Sequence, residues 1–241
     1  MTWSIVALDS DGSFGVAVAS RFFAVGALCP YATSGVGAVA TQALVNPLYA
    51  PAALEALARG EHPADIVPSL TAADTGRDHR QLHMVDNQAR IAAHTGSACI
   101  DWCGHRGGQG YSLAGNMLAG PQVLAATADA MEAHRGDALA LRLLKAMAAG
   151  EAAGGDKRGK QAAALLVYTT ESYPTLDLRV DDHAEPIVEL FRLYEKSLER
   201  FQPFVSCLPR RDAPAGITDR AVIEAEIERF QAARARSRSQ R

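Results

Sequence analysis

Thr2-Trp3-Ser4-Ile5-Val6-Ala7-Leu8, then Asp9-Ser10-Asp11-Gly12, then Phe14-Gly15-Val16-Ala17-Val18-Ala19-Ser20 is the stretch that decides the fold. Two alternating runs joined by a short acidic turn predict a β-hairpin. Asp9 and Asp11 suit that turn, because Asp side chains bond to nearby backbone amides. A metal role for them is the weaker reading. Both runs are apolar on both faces, which predicts a sheet covered on its two sides rather than one facing water. Thr2 opens the first strand. Removal of Met1 would make it an N-terminal threonine, with a hydroxyl nucleophile and its own α-amine as base. Many ordinary proteins also begin Met-Thr, so the surrounding chain has to decide.

Outward from the hairpin, Arg21 to Ala27 continues the second strand or begins a neighbour, and Gly35 to Gln42 reads as another strand. Helices are expected over Pro51 to Arg59 and Pro63 to Ala73. Strands return over Gln81 to Asp86 and Ala89 to Gly96. A Gly-rich loop from Gly104 to Gly110 leads into Tyr111 to Leu118. Two more helices follow, from Pro121 to His134 and from Ala138 to Ala153, the second with Asp137 as its N-cap. Strands Gln161 to Tyr168 and Leu176 to Val180 precede a helix from Pro186 to Phe201, with Asp182 as its cap. Strands and helices come in consecutive pairs, which argues against a doubly wound parallel sheet. The order predicts an α+β fold, a four-layer α-β-β-α sandwich of two antiparallel sheets.

That domain is expected over residues 1–201. Residues 202–241 read as an extension, interrupted by Pro203, Pro209 and Pro214, with an amphipathic helix over Asp219 to Arg236 and a disordered basic tail from Arg234 to Arg241. The net charge of −3 creates no field that recruits nucleic acid or acidic membranes. No apolar run approaches the roughly 20 residues of a membrane-spanning helix, and no signal peptide is visible. The four cysteines, Cys29, Cys99, Cys103 and Cys207, do not suggest a disulfide framework. The expected setting is cytoplasmic, where an aminopeptidase can act on Met1.

Several polar residues sit where strands end. Ser20-Arg21 closes the hairpin near the chain start. Arg21 could tune the Thr2 amine or bind a carboxylate in bidentate fashion, or be a surface arginine. Gln42 and Asn46 end the Gly35 strand; they are neutral donors of oxyanion-hole type, although Asn before Pro is also a common turn. Asn116 lies between Gly115 and Gly120 near a strand-to-helix junction, where an anion or a plain connection both fit. In Gly154 to Gln161, Asp156 and Arg158 make either an anion site or a structural loop locked by their own contact; the spacing is not that of a Walker loop. Asp181-Asp182-His183 reads as helix capping. Cys99-x3-Cys103-x-His105 lacks an evident fourth ligand, His79 and His83 lack a metalloprotease motif, and no nucleophile elbow is present. No metal and no cofactor are expected.

The runs from Thr2 to Ala7, Gly15 to Gly26 and Gly35 to Gln42 with Asn46-Pro47 resemble a bacterial family of unknown function, DUF1028, that is grouped with the N-terminal-nucleophile (Ntn) hydrolases. The resemblance extends through Thr95-Gly96, Gly104-His105, Gly115 to Gly120, Gly155 to Gln161 and Arg179 to His183, and covers about Thr2 to Tyr194. It implies the Ntn fold and an amidohydrolase cleaving a C–N amide bond of a small metabolite. By that analogy Thr2 is the nucleophile and its amine the general base; from their places at strand ends, Asn116 or Gln42 would supply the oxyanion donor. Ser20, Arg21, Asn46, Asp156 and Arg158 are the candidates for substrate binding. The alternatives are a non-catalytic Ntn-fold protein that binds a small anionic metabolite, and an oligomeric structural protein. The expected partners are a small-molecule substrate and a second copy of the chain in a homodimer, with no nucleic acid and no membrane.

Overall fold

A computed structural model describes residues 2–239. The opening hairpin forms as read: β1 (Thr2–Leu8) pairs antiparallel with β2 (Phe14–Ser20), Thr2 opposite Ser20. The turn is closed by Asp9 accepting from the Ser10 amide and Asp11 from the Ser13 amide. Met1, whose removal the N-terminal reading of Thr2 requires, lies outside the described residues, as do Gln240 and Arg241.

The remaining strands are β3 (Pro30–Thr33), β4 (Gly37–Ala43), β5 (Arg80–Asp86), β6 (Ile91–Thr95), β7 (Trp102–Gly108), β8 (Tyr111–Leu118), β9 (Ala162–Tyr168) and β10 (Leu176–Val180). One sheet has six strands in the order β10-β9-β2-β1-β8-β7, the other four in the order β3-β4-β5-β6. All pairings are antiparallel. Helices α1 (Tyr49–Ala58) and α2 (Pro63–Ala72) cover the smaller sheet, burying Tyr49, Ala53, Leu57 and Ile66 against Val39, Leu82 and Met84. Helices α3 (Gln122–Ala133) and α4 (Leu139–Ala152) cover the larger one. The close approach of α4 needs glycine: a Cβ at Gly150 would lie 2.9 Å from the Trp3 indole nitrogen, and one at Gly15 would meet the Leu143 side chain at 2.5 Å. The architecture is therefore the four-layer α-β-β-α sandwich.

Between the sheets, Val6, Val16, Val18, Ala38, Ala40 and Val85 form an apolar layer. The pleat makes this layer change character along the strands. Residues i, i+2 and i+4 share a face, so Val6 shares its face with Ser4 and Thr2, Ala40 with Gln42, and Val85 with His83 and Gln81. One end of the inter-sheet space is apolar. The other is lined by hydroxyls, amides and an imidazole, all buried.

Several local expectations need correction. Arg21 to Ala27 is not a strand: Ala24 turns left-handed (φ 53°), its amide bonds to the Asp181 carbonyl, and a 3₁₀ turn follows over Val25–Ala27. Gly104 to Gly108 is not a loop but most of β7, where side chains would collide: a Cβ at Gly107 meets Ile91 and one at Gly108 meets the Tyr111 ring. Asp137 does not cap α4; the cap position is Ala138, and Asp137 accepts from Lys145 Nζ at 2.7 Å. Asp182 accepts from Gln161 Nε2 at 3.1 Å instead of capping the next helix, α5 (Pro186–Ser197), which ends before Phe201.

The chain divides into two compact units, the first through Leu190 and the second from Phe191. The second contains the rest of α5, α6 (Phe201–Val205) and α7 (Arg220–Ser239). Helix α7 runs through the basic segment expected to be disordered as far as Ser239. Ion pairs Arg200–Glu224 and Arg234–Glu195 join its side chains to the preceding segments of that unit. Among the described residues no helix is long and apolar enough to cross a membrane.

Candidate active site

Thr2 occupies the head of a central strand, with Ser20 of β2 on one side and Asn116 of β8 on the other. All three are buried: 6% of Thr2 and 2% each of Ser20 and Asn116 are exposed. The Thr2 and Ser20 hydroxyl oxygens are 3.0 Å apart and share a hydrogen bond. Thr2 also lines a cavity of about 380 Å³ together with Gln42, Thr41, Cys29 and Arg80. Its remaining walls are apolar.

The Thr2 carbonyl is held from both sheets. Gln42 Nε2 and Asn116 Nδ2 each lie 3.4 Å from it and also donate to Gln81 Oε1 at 2.9 Å. An amide nitrogen has two protons, so both groups are fully engaged. Gln81, completely buried, is the hub: its two Nε2 protons are shared among the Gly115 carbonyl at 2.7 Å, Thr95 Oγ1 at 3.1 Å and the Gly104 carbonyl at 3.2 Å.

Behind Thr2, Ser4 Oγ donates to Gln42 Oε1 at 2.6 Å. Its single proton is then used, so His83 Nε2, 2.7 Å away, is the donor to Ser4. That fixes the tautomer: His83 Nδ1 accepts from the Ser112 hydroxyl at 3.2 Å. The ring is neutral, because burial, with a smaller contribution from His105 nearby, lowers its pKa from the ordinary 6.5 to about 3. The chain of Ser112, His83, Ser4, Gln42, Gln81 and Asn116 leaves each amide oriented. Burial likewise pushes the Cys29 thiol up to about 12, so this cavity residue is a neutral thiol and not a thiolate nucleophile.

The other candidates form two groups. Asp156 accepts from the Arg21 amide at 2.7 Å and the Arg158 amide at 2.8 Å, with Arg158 Nη2 at 3.4 Å. The two arginines also bond to each other's carbonyls, Arg158 Nη2 to Arg21 O at 3.1 Å and Arg21 Nη1 to Arg158 O. This clamp joins the end of β2, one residue beyond Ser20, to the loop before β9. Arg21 does not line the Thr2 cavity; Arg158 lines a second cavity of about 340 Å³ that contains Asn116 and shares Phe22, Ala43 and Leu44 with the first. Asn46 does not line the Thr2 cavity. It donates to Asp74 Oδ2 at 3.2 Å and accepts from the Leu48 amide. Asp74 also takes the Tyr49 hydroxyl, the Gly76 amide and Arg80 Nε, which hold its carboxyl well below the usual carboxylate range. Among the described residues no group of three or more His, Cys, Asp or Glu is placed to hold a metal ion.

The site thus draws together Thr2, Ser20, Gln42 and Asn116, with the Asp156 clamp adjoining. Sequence reasoning missed Ser4, Gln81 and Ser112, and weighed His83 only as a metal ligand. Their signal is present in the chain: polar residues spaced by two or four in otherwise apolar strands, Thr2/Ser4 and Gln81/His83 by two and Ser112/Asn116 by four, mark one face of each strand.

Comparison with known proteins places these features in context. The profile of DUF1028, a family of unknown function, matches residues 2–190. The crystal structure of protein SPO2555 from Silicibacter pomeroyi, assigned to DUF1028, is 33% identical, with a TM-score of 0.84 over 90% of this chain and 96% of that one. Anbu, an ancestral β-subunit from Yersinia bercovieri, aligns with a TM-score of 0.39 at 11% identity over 81% of this chain and 94% of its own. No curated protein matches.

Proposed function

The chain belongs to the DUF1028 family, and from that premise we propose that it is an Ntn-type amidohydrolase cleaving a C–N amide bond of a small metabolite, with Thr2 as nucleophile. The observation that carries the reading is the Thr2 hydroxyl, 3.0 Å from the Ser20 hydroxyl on the wall of a cavity of substrate size. The reaction requires a free α-amine on Thr2, and so the prior removal of Met1. The amine takes the Oγ1 proton as Oγ1 attacks the carbonyl carbon. The C–N bond then breaks, and the ammonium returns the proton to the departing amine. Water, deprotonated by the same amine, attacks the threonyl ester and releases the acid, restoring the hydroxyl.

In this proposal Ser20 sets the rotamer of the Thr2 hydroxyl. Gln42 and Asn116, whose amide protons already bond to Gln81 and the Thr2 carbonyl, hold the nucleophile's main chain instead of an oxyanion. Arg21, Asp156 and Arg158 fix the Ser20 end of β2, and Asn46 steadies Asp74 and through it Arg80. A homodimer belongs to the same proposal and is read by light scattering. The direct test is amine release from a panel of small amides. Thr2→Ala should abolish it and Thr2→Ser should retain part. Full activity in Thr2→Ala ends the reading. Ligand-induced thermal stabilisation without turnover, together with a retained Met1, would favour a non-catalytic binder of an anionic metabolite.

A further inference from the structure

The cavity beside Thr2 has an unusual distribution of unused hydrogen-bonding capacity. Thr41 Oγ1 donates to the Asn46 carbonyl at 3.2 Å and accepts from the Asn46 amide at 3.4 Å. Gln42 is fully engaged with Ser4, Gln81 and the Thr2 carbonyl. The Cys29 thiol is neutral and directed at Gln42 Oε1, 3.8 Å away. Two lining side chains keep polar capacity: the Thr2 hydroxyl and the Arg80 guanidinium. Arg80 uses Nε on Asp74 at 3.2 Å and Nη1 on the Leu44 carbonyl. A guanidinium has five N–H groups in a planar fork, so three lie outside these bonds. The rest of the lining is hydrocarbon, contributed by Phe22, Val25, Leu28, Leu44 and Val45.

Resting on the assignment of Thr2 as nucleophile, we infer that this cavity takes an amide whose acyl half is an apolar chain or ring ending in a carboxylate. The apolar body lies against Phe22, Val25, Leu28 and Val45, and the carboxylate is held by Arg80. Hydrolysis then gives a dicarboxylate and an amine. Three points favour this class. An apolar wall with saturated polar groups gives no return for desolvating a hydroxylated or sugar-like body, which would lose its hydrogen bonds to water. The planar guanidinium edge matches a carboxylate. Asp74, beside Arg80, already brings one negative charge, so a singly charged anion fits there better than a phosphate dianion. The departing amine half has its own space in the adjoining cavity past Phe22 and Leu44, toward Asn116 and Met117.

The experiment is calorimetric titration of the full chain with octanoate and 4-phenylbutyrate, against octylammonium, 1-octanol and glutarate. Octanoate and 4-phenylbutyrate should bind at least tenfold tighter than octylammonium or glutarate. Arg80→Met should reduce octanoate to the affinity of 1-octanol. The comparison within the unaltered protein stands even where Arg80→Met fails to fold. Equal binding of octanoate and octylammonium, or no binding of octanoate, overturns the inference. Acylation by β-propiolactone, mapped by peptide mass, reports on the nucleophile separately. Labelled Thr2 with no octanoate binding removes the substrate class and leaves the nucleophile in place. Octanoate binding with unlabelled Thr2 does the reverse.

Discussion

Thr2 and Ser20 face each other across a rung of the central hairpin with their hydroxyl oxygens 3.0 Å apart, both buried where the inter-sheet layer turns polar. A single contact thus links the first strand, the second strand and the cavity. If Ser20 orients the Thr2 hydroxyl, Ser20→Ala should lower kcat more than it raises KM, while costing about 1 kcal/mol of stability for one lost hydrogen bond. Steady-state kinetics beside urea denaturation separates the two effects. An unchanged kcat with reduced stability would assign Ser20 a packing role only.

Gln81 carries more bonds than its neutral side chain suggests. Gln81→Leu would leave Gln42 Nε2 and Asn116 Nδ2 without their shared acceptor in a buried layer. Orphaned buried donors cost roughly 1–3 kcal/mol each, so the variant should be roughly 2–6 kcal/mol less stable by urea denaturation. A loss under 0.5 kcal/mol would mean that water enters the network.

The neutral His83 gives stability a pH dependence. Its folded pKa of about 3 lies below the ordinary 6.5, so between these values the unfolded chain binds the extra proton. The His83 contribution is therefore fully present above about pH 6.5 and is lost progressively as pH falls toward 3. His83→Gln should flatten that part of the stability curve, measured by chemical denaturation from pH 4 to 8. An unaltered slope would show that other groups dominate it.

Asp156 anchors two backbone amides. Asp156→Ala should accelerate hydrogen exchange at the Arg21 and Arg158 amides and destabilise the protein by about 1–3 kcal/mol. Unchanged protection at both amides would show that the Arg21–Arg158 contacts suffice.

How much of this was legible in the chain follows from pleat and context. The hairpin, the paired order of elements and the places of Thr2, Gln42 and Asn116 at strand ends were readable, because period-two patterning and glycine spacing act locally. Residues 104–108 read as a loop because glycine favours loops in isolation; only Ile91 and the Tyr111 ring explain why a strand needs glycine there. Asp137 and Asp182 have the right chemistry for caps, but Lys145, within the helix that Asp137 precedes, and Gln161, distant in sequence, engage them instead. Gln81 and Ser4 are hidden in strands that are apolar as a whole, and His83 suggests only metal chemistry in isolation; the information lies in which face of each strand carries the polar residues.

The central claim, that Thr2 is an N-terminal nucleophile, is tested most directly by intact mass and N-terminal peptide sequencing of the protein purified from its native host. The account predicts a chain beginning at Thr2 with a free α-amine. A chain that retains Met1, or that carries a blocked Thr2 amine, would contradict it.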